Sequence, residues 1–139
     1  MNIRQIMTRR IVTIGMDDPL SLARDIFHHT RFHHLLVVEN GKLFGVLSDR
    51  DLLKSVSPYV GTASETARDV ASLNKRVHQV MSRKPICLPL DGTIREAVAI
   101  FNENVVSCIP VVDDSKHPVG IVSWRDLLKI LTSKYCDLD

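Results

Sequence analysis

An internal repeat constrains the fold of this 139-residue chain more than any other feature of its sequence. When the second half is slid over the first by 74 residues, residues 77–83 (VHQVMSR) align with residues 3–9 (IRQIMTR). After a one-residue insertion in the second copy, residues 120–129 (GIVSWRDLLK) align with residues 45–54 (GVLSDRDLLK) at an offset of 75. Self-similarity at such a period indicates two copies of one structural unit.

The repeat divides the chain into two units and a connecting segment. We expect repeat 1 over residues 1–56, a linker with a helix over 57–76, repeat 2 over 77–135 and a tail over 136–139. Each repeat has about 55 residues, near the lower limit at which a hydrophobic core supports itself. The two repeats are therefore expected to pack on each other, and we expect no separate effector domain in the chain.

Composition and charge argue against several classes of protein. The chain is 45% hydrophobic and 24% charged, which is typical of a soluble globular domain. A net charge of +2 is too balanced for a protein that neutralises many nucleic-acid phosphates. No apolar run approaches the roughly 20 residues that span a bilayer, and the start of the chain does not resemble a secretory signal. The lack of a secretory signal predicts a cytoplasmic protein, and three cysteines without a C-x-x-C pair predict reduced thiols.

Each repeat opens with a predicted strand and helix. Short apolar runs at 11–14 and 85–88 indicate the strands. The segments at 17–19 and 91–93 follow, and their carboxylates could satisfy the free amides at the start of a helix. Apolar residues then recur at spacings of three and four, forming one helix face that would pack on a sheet. They are Leu20, Ala23, Ile26 and Phe27 in repeat 1, and Ile94, Ala97, Ile100 and Phe101 in repeat 2.

Two strands and a second helix complete each repeat. In repeat 1, two apolar strands are joined by Asn40-Gly41, a dipeptide that strongly favours a tight hairpin. In repeat 2, the polar segment 113–118 makes the same connection. Second helices open at 50–54 and 125–129. The order strand-helix-strand-strand-helix, found twice, predicts an α+β fold.

The linker shows a weaker pattern. Thr62-Ala63-Ser64-Glu65 fits a capping box, so a helix is predicted after Glu65. Its large apolar residues are Val70 and Leu73, which predicts an exposed helix with little anchorage.

The segment that is most similar between the repeats places polar residues in the order Gly-x-x-Ser-x-x-Asp, which we call the signature. An Asp in the first helical turn, three residues after a Ser at a strand end, brings a carboxylate close to a hydroxyl. Such a carboxylate can accept from both hydroxyls of a ribose, while the amides of the helix start face anionic oxygen. Alternatively, Ser48 and Ser123 are helix N-caps, and Asp51 and Asp126 are favourable first-turn residues that need no ligand.

These motifs resemble those of the cystathionine-β-synthase (CBS) domain. The chain is similar to a tandem CBS pair, often called a Bateman module, at residues 6–8 and 80–82, at the strands 35–38 and 109–112, and at both signatures. The resemblance implies a β-α-β-β-α unit per repeat and pseudo-twofold packing of the repeats. It further implies two clefts between the repeats for adenosyl ligands, namely AMP, ADP, ATP or S-adenosylmethionine, and a disc-like homodimer of modules.

The resemblance also implies candidate ligand-binding residues, position by position. Asp51 and Asp126 match the ribose-binding carboxylate, and Ser48 and Ser123 match a hydroxyl near ribose or phosphate. Positions that would line the adenine pocket are Val12, Phe32, Ile86 and Val106. Positions just before the second strand, which often contact phosphate or ribose, are His33, His34, Ser107 and Cys108.

Differences between the copies predict unequal sites. Repeat 1 has Asp49 where repeat 2 has Trp124, and it has Leu36 where repeat 2 keeps the Pro110 that is usual in the family. Basic groups near the signatures would favour a longer phosphate chain, or they are solvated surface charges. They are Arg50, Arg125 and the basic turns at 9–10 and 83–84.

Other functions have weaker support. His29 and His33 could share a helix face and bind a metal, but a helix that ends near Thr30 would separate them. No catalytic triad, phosphate loop or pair of catalytic acids is evident, so we expect no enzyme and no required cofactor or metal. The predicted function is a regulatory module that binds AMP, ADP or ATP and signals to an unidentified effector protein. The alternatives are a structural dimerisation module without ligand, or a module for another adenosyl ligand such as S-adenosylmethionine.

Overall fold

The computed structural model describes the backbone of residues 2–136 and the side chains up to position 134. The side chain of Cys136 and the rest of the predicted tail lie outside the described residues. The elements are, in chain order, β1 (Thr13–Gly15), α1 (Leu20–His29), β2 (His34–Glu39), β3 (Lys42–Ser48), α2 (Asp49–Ser55), α3 (Ala67–Ala71), α4 (Val77–Val80), β4 (Ser82–Arg83), β5 (Leu88–Pro89), α5 (Ile94–Glu103), β6 (Cys108–Val112), β7 (Pro118–Ser123) and α6 (Trp124–Leu131). Short 3₁₀ helices lie at Ile3–Gln5 and Ser72–Asn74, and a π-helical turn at Thr132–Cys136 follows α6.

The chain forms two compact units whose limits differ from those of the sequence repeats. The central unit holds residues 12–84, and the terminal unit holds residues 2–11 together with residues 85–136 of the described chain. Each unit contains the β-α-β-β-α series of one repeat, which confirms the predicted α+β class. Each unit also contains the short segment that opens the other repeat in the sequence.

The central unit is built on a four-stranded sheet in the order β1-β2-β3-β4. Strand β1 runs parallel to β2, while β2 and β3 form an antiparallel hairpin. Asn40 and Gly41 both have positive φ, 52° and 79°, as the predicted tight turn requires. The apolar face of α1 packs on this sheet, as its periodicity predicts. The buried core consists of Ile14, Leu20, Ala23, Leu35, Val37, Leu47, Leu52, Val77 and Met81.

The terminal unit is built on a three-stranded sheet in the order β5-β6-β7. Thr8 pairs with Ile121 at the free edge of β7, through two backbone hydrogen bonds of 2.8 and 2.9 Å. Thr8 thus takes the place that β4 takes beside β3 in the central unit. The buried core consists of Ile3, Met7, Leu88, Ala97, Phe101, Ile109, Val111 and Val122.

The first strand of each repeat is shorter than predicted. Only Thr13–Gly15 and Leu88–Pro89 form strands, although the carbonyl of Val12 still accepts a hydrogen bond from the Leu36 amide. In the second repeat the strand starts late because Pro85 has no N–H for a ladder and Lys84, at φ 50°, bends the chain.

Two predicted helix caps are wrong in detail. Pro19 occupies the N-cap of α1 without a side-chain cap, and the Asp18 carboxylate instead accepts from the Gly15 amide at 2.7 Å. In the linker, the capping box is formed by Thr66 and Asp69, four residues after the predicted one. Glu65 accepts from the Gly61 amide instead and closes a turn. The linker helix itself is present as α3, with no buried residue.

Glycines at equivalent positions allow the edge segments to lie close to each sheet. A Cβ added to Gly45 would lie 2.6 Å from the Met81 sulfur and 2.8 Å from the Ser82 carbonyl oxygen. A Cβ added to Gly120 would lie 2.7 Å from the Met7 sulfur and 3.1 Å from the Thr8 carbonyl oxygen. The first residue of the signature therefore serves the close approach of another backbone segment.

We expect Gly45→Ala to destabilise the protein by about 1–3 kcal/mol, because the new methyl group overlaps a backbone oxygen that is held in the sheet. Gly120→Ala is the matched control, since both new methyl groups meet a methionine sulfur, but the backbone oxygen near Gly120 is 3.1 Å away rather than 2.8 Å. Urea denaturation of both variants measures the difference. Equal losses in the two variants, or no loss in Gly45→Ala, would contradict this account.

Candidate functional site

The signature of the terminal unit forms a capping box at the start of α6. Ser123 ends β7, and its hydroxyl accepts from the Asp126 amide at 3.4 Å. The Asp126 carboxylate oxygen Oδ2 accepts in return from the Ser123 amide at 2.9 Å and from its hydroxyl at 3.2 Å. The N-cap interpretation of these two residues is therefore correct, and it places a carboxylate at the positive end of a helix.

Thr8 is a third member of this group, and the sequence prediction missed it. Its hydroxyl donates to Asp126 Oδ1 at 3.2 Å, because the backbone pairing of Thr8 with Ile121 brings the side chain to the start of α6. Asp126 is 7% exposed and is the one charged side chain that is buried among the described residues. The repeat alignment could have indicated a role for Thr8, because Thr8 aligns with Ser82 and both copies therefore carry a hydroxyl at this position.

The signature of the central unit has the same capping box with a more accessible carboxylate. The Ser48 hydroxyl accepts from the Asp51 amide at 3.1 Å, and Asp51 Oδ2 accepts from the Ser48 amide at 3.2 Å. Asp51 is half-buried. Among the described residues, Ser82 makes no hydrogen bond to Asp51 like that of Thr8 to Asp126.

Two histidines lie beside this signature, and the second of them belongs to β2 rather than preceding it. His34 opens β2 and is paired in register with Ser48. The exposed His33 places Nδ1 at 2.9 Å from Asp49 Oδ2, and its carbonyl accepts from the Asp49 amide at 3.0 Å. Burial lowers the pKa of His34, against the opposing effect of the Asp49 and Asp51 carboxylates. His34 is therefore an uncharged hydrogen-bonding group near neutral pH.

In the terminal unit, the positions equivalent to the two histidines carry a hydroxyl and a thiol group. Ser107 is exposed, and Cys108 is buried at the start of β6 in register with Ser123. Burial, with a smaller effect of Cys87, raises the pKa of the Cys108 thiol to about 12. The thiol therefore stays protonated and packs as an apolar group rather than as a nucleophile.

The remaining candidates are distributed between the two units. In the central unit, Val12 packs partly against the core, and Phe32 is half-buried between α1 and β2. In the terminal unit, Val106 packs partly against the core, whereas Ile86 is 38% exposed. The guanidinium-bearing residues Arg50 and Arg125 are exposed in the first turns of α2 and α6.

A cavity of about 440 Å³ lies beside Asp126 within the terminal unit. The 3₁₀ helix and the residues after it form one wall, and α6 with the turn that follows it forms the other. The lining residues are Gln5, Ile6, Met7, Thr8, Asp126, Lys129, Ile130, Ser133 and Lys134.

A metal site at the histidines has no support in the geometry. Among the described residues, no three His, Cys, Asp or Glu side chains are placed to hold a metal ion together. Helix α1 ends at His29, whose Nδ1 lies 2.8 Å from the Asp25 carbonyl oxygen.

None of the helices in the described part of the chain has the length and apolar character that a membrane span requires.

Comparison with known sequences finds one family in both repeats. The CBS domain family model matches residues 3–58 and 77–133. A CBS domain-containing protein of Dictyostelium discoideum is 30% identical over 131 residues, which cover 93% of this chain and 90% of that protein. The inosine-5′-monophosphate dehydrogenase of Thermoplasma acidophilum is 28% identical over 88% of this chain, which spans only 22% of that enzyme.

Solved structures share the fold. The cytosolic domain of the Mg²⁺ channel MgtE in complex with ATP has a TM-score of 0.75 at 24% identity, covering 94% of this chain and 48% of that one. The CBS domain pair of protein MJ0100, in complex with 5′-methylthioadenosine and S-adenosyl-L-methionine, has a TM-score of 0.77 at 23% identity, covering 96% and 98%. With the family match in both repeats, these findings lead to one conclusion: the chain belongs to the CBS domain family, as a tandem pair.

Proposed function

We propose that this CBS pair is a regulatory module that binds an adenine nucleotide, AMP, ADP or ATP, and passes the bound state to a partner protein. The observation that carries the proposal is the duplicated signature. In each unit a carboxylate is fixed at the start of a helix beside a serine hydroxyl. Two copies of this arrangement offer two ribose-binding groups on one chain.

The chemistry of the signature suits a ribose next to an anion. A carboxylate oxygen can accept more than one hydrogen bond, so each Asp can keep its cap and still receive a diol. Asp51 is the more open of the two, because it is half-buried whereas Asp126 is 7% exposed. The amides and positive end of each helix favour phosphate oxygens nearby.

Ligands of structural relatives support the adenosyl class. The MgtE domain is seen with ATP, and the MJ0100 pair is seen with 5′-methylthioadenosine and S-adenosyl-L-methionine. All of these molecules contain adenosine. They agree with the proposed nucleotide and keep S-adenosylmethionine as a second candidate.

We further propose that the chain performs no catalysis, requires no cofactor or metal and acts in the cytoplasm. The signature carboxylates serve as helix caps, and the Cys108 thiol has a pKa of about 12. Free thiols at Cys87 and Cys108 suit a reducing compartment. A module without chemistry of its own acts through an effector protein that distinguishes its bound and free states.

We also propose that the module forms a homodimer, in part through an apolar face of the terminal unit. Helices α5 and α6 border a cavity of about 350 Å³. Four large apolar side chains around it are 40–55% exposed, which is costly for a surface that nothing covers. They are Val98, Trp124, Leu128 and Leu131. A dimerisation module that acts without a ligand is the alternative that this face favours.

The proposal predicts a rise in melting temperature with AMP, ADP or ATP. A ligand at 100 times its dissociation constant adds about 2.7 kcal/mol of stability. Replacing both carboxylates, in Asp51→Ala/Asp126→Ala, is expected to abolish the shift, because alanine has no side-chain oxygen that can accept from a ribose hydroxyl. Differential scanning fluorimetry of the full chain, with and without each nucleotide, measures the shift in melting temperature.

Glu96→Ala is the control for the loss of a capping box. Glu96 closes a capping box with Thr93 at the start of α5, far in sequence from either signature. This variant is expected to lose stability like the Asp variants and yet keep the full nucleotide shift. A shift that persists in the double Asp variant would refute the ribose assignment. No shift in the wild type with any nucleotide or S-adenosylmethionine would favour the structural module.

The dimer proposal predicts that Leu128→Glu converts the protein to a monomer in analytical ultracentrifugation. Trp124 is the single tryptophan of the chain and lies on the same face, so its emission is expected to shift to the red in the variant. Val105→Glu, at a fully exposed position outside this face, is the control and should leave both signals unchanged. A wild-type protein that sediments as a monomer contradicts the proposal.

A further inference from the structure

One face of α6 and the turn after it points into the cavity beside Asp126. The residues that line the cavity from this side are Asp126, Lys129, Ile130, Ser133 and Lys134, at successive spacings of three, one, three and one. Such spacings put all of them on one side of a helix. The cavity is thus lined on this side by a stripe of four polar side chains and Ile130, with the signature carboxylate at one end.

The charge of this stripe is positive. Lys129 and Lys134 are exposed, and among the described residues neither ammonium group forms a hydrogen bond or an ion pair. Asp126 is the single carboxylate in the lining, and both of its oxygens already accept from Thr8 or Ser123. Two free cations beside a carboxylate that is already bonded make the cavity suitable for an anion.

The central unit does not have this arrangement. The counterpart of Lys129 is Lys54, but the counterparts of Ser133 and Lys134 are Pro58 and Tyr59. Helix α2 also ends at Ser55, and Val56 turns the chain into an extended conformation. Asp49 adds a negative charge at the start of α2, where α6 has Trp124.

We propose that the cavity beside Asp126 is a phosphate-binding subsite in which Lys129 and Lys134 bind the phosphate oxygens of the ligand. This inference rests on the proposed function, and it assigns polyphosphate nucleotides to the terminal unit in preference to the central one. The volume of about 440 Å³ is within the range of small-molecule sites. Because both lysines are exposed, the contribution of the subsite falls as ionic strength rises.

A purely structural role for these lysines makes a different prediction. Cations in the last turn of a helix interact favourably with its negative end without any ligand, and Lys129 lies in the last turn of α6. Lys54 lies in the last turn of α2 in the same way, but the residues that follow it include no counterpart of the Ser133 hydroxyl or the Lys134 ammonium group. Lys54→Met is therefore a control for the loss of a helix-end charge.

Isothermal titration calorimetry of the full chain with ATP, adenosine and tripolyphosphate tests the subsite. We expect Lys129→Met/Lys134→Met to weaken the binding of ATP and of tripolyphosphate about tenfold. Each exposed ion pair contributes a factor of roughly two to five to the affinity, and the double variant loses two of them. Adenosine affinity should not change, because it has no phosphate. Lys54→Met should bind all three probes like the wild type.

The outcomes separate this inference from the proposed function. Full ATP affinity in the double variant overturns the subsite and leaves nucleotide binding intact. Equal losses for ATP and adenosine, or the same loss in Lys54→Met, also overturn it, because the effect then lies in folding or in overall charge. Lysine-dependent binding of tripolyphosphate without any binding of ATP or adenosine supports the subsite for free polyphosphate and refutes the nucleotide proposal. A wild type that binds none of the three probes refutes both.

Discussion

Two backbone hydrogen bonds of 2.8 and 2.9 Å join Thr8 to Ile121, and the Met7 side chain packs against the glycine beside Ile121. This short pairing fixes a segment that is distant in sequence from the strand it covers. It buries Ile3 and Met7 in the core of the terminal unit and brings the Thr8 hydroxyl to Asp126. In the central unit, the pairing of β4 with β3 buries Val77 and Met81 in the same manner. Each sheet thus depends on an edge segment that another part of the chain supplies.

The signature residues have two roles that use the same atoms. As a helix cap, a Ser of this kind contributes about 1 kcal/mol, and an acidic side chain in the first turn adds a smaller favourable interaction with the helix dipole. These interactions hold the carboxylate in one orientation before any ligand arrives, which lowers the entropic cost of binding. A capping box outside the signatures, such as that of Thr93 with Glu96, has the same local geometry. What distinguishes the signatures is their surroundings: His34 beside Asp51, and a buried carboxylate with a cationic cavity beside Asp126.

Local interactions explain which parts of this structure could be predicted from the sequence. The hairpin at Asn40-Gly41 depends on φ angles that these two residue types tolerate, and the caps at Ser48 and Ser123 depend on residues three positions apart. The role of Thr8 depends on pairing across more than 100 residues, which no local pattern reports. The linker cap was placed wrongly because Thr62–Glu65 and Thr66–Asp69 both fit the motif, and only the second leads into a helix.

Helix α6 connects the proposed ligand site with the proposed dimer face. Its polar stripe carries Asp126 and Lys129, while Trp124, Leu128 and Leu131 lie on the apolar face toward α5. Trp124 contacts Phe101 of α5 at a ring distance of 5.3 Å. A ligand can shift an equilibrium only by its differential affinity for two states. Helix α6 lines both the proposed phosphate subsite and the proposed dimer face, so a ligand and a partner that prefer different positions of this helix would affect each other's binding. Coupling between nucleotide and partner therefore needs no long pathway in this unit, because both would act on the same few residues.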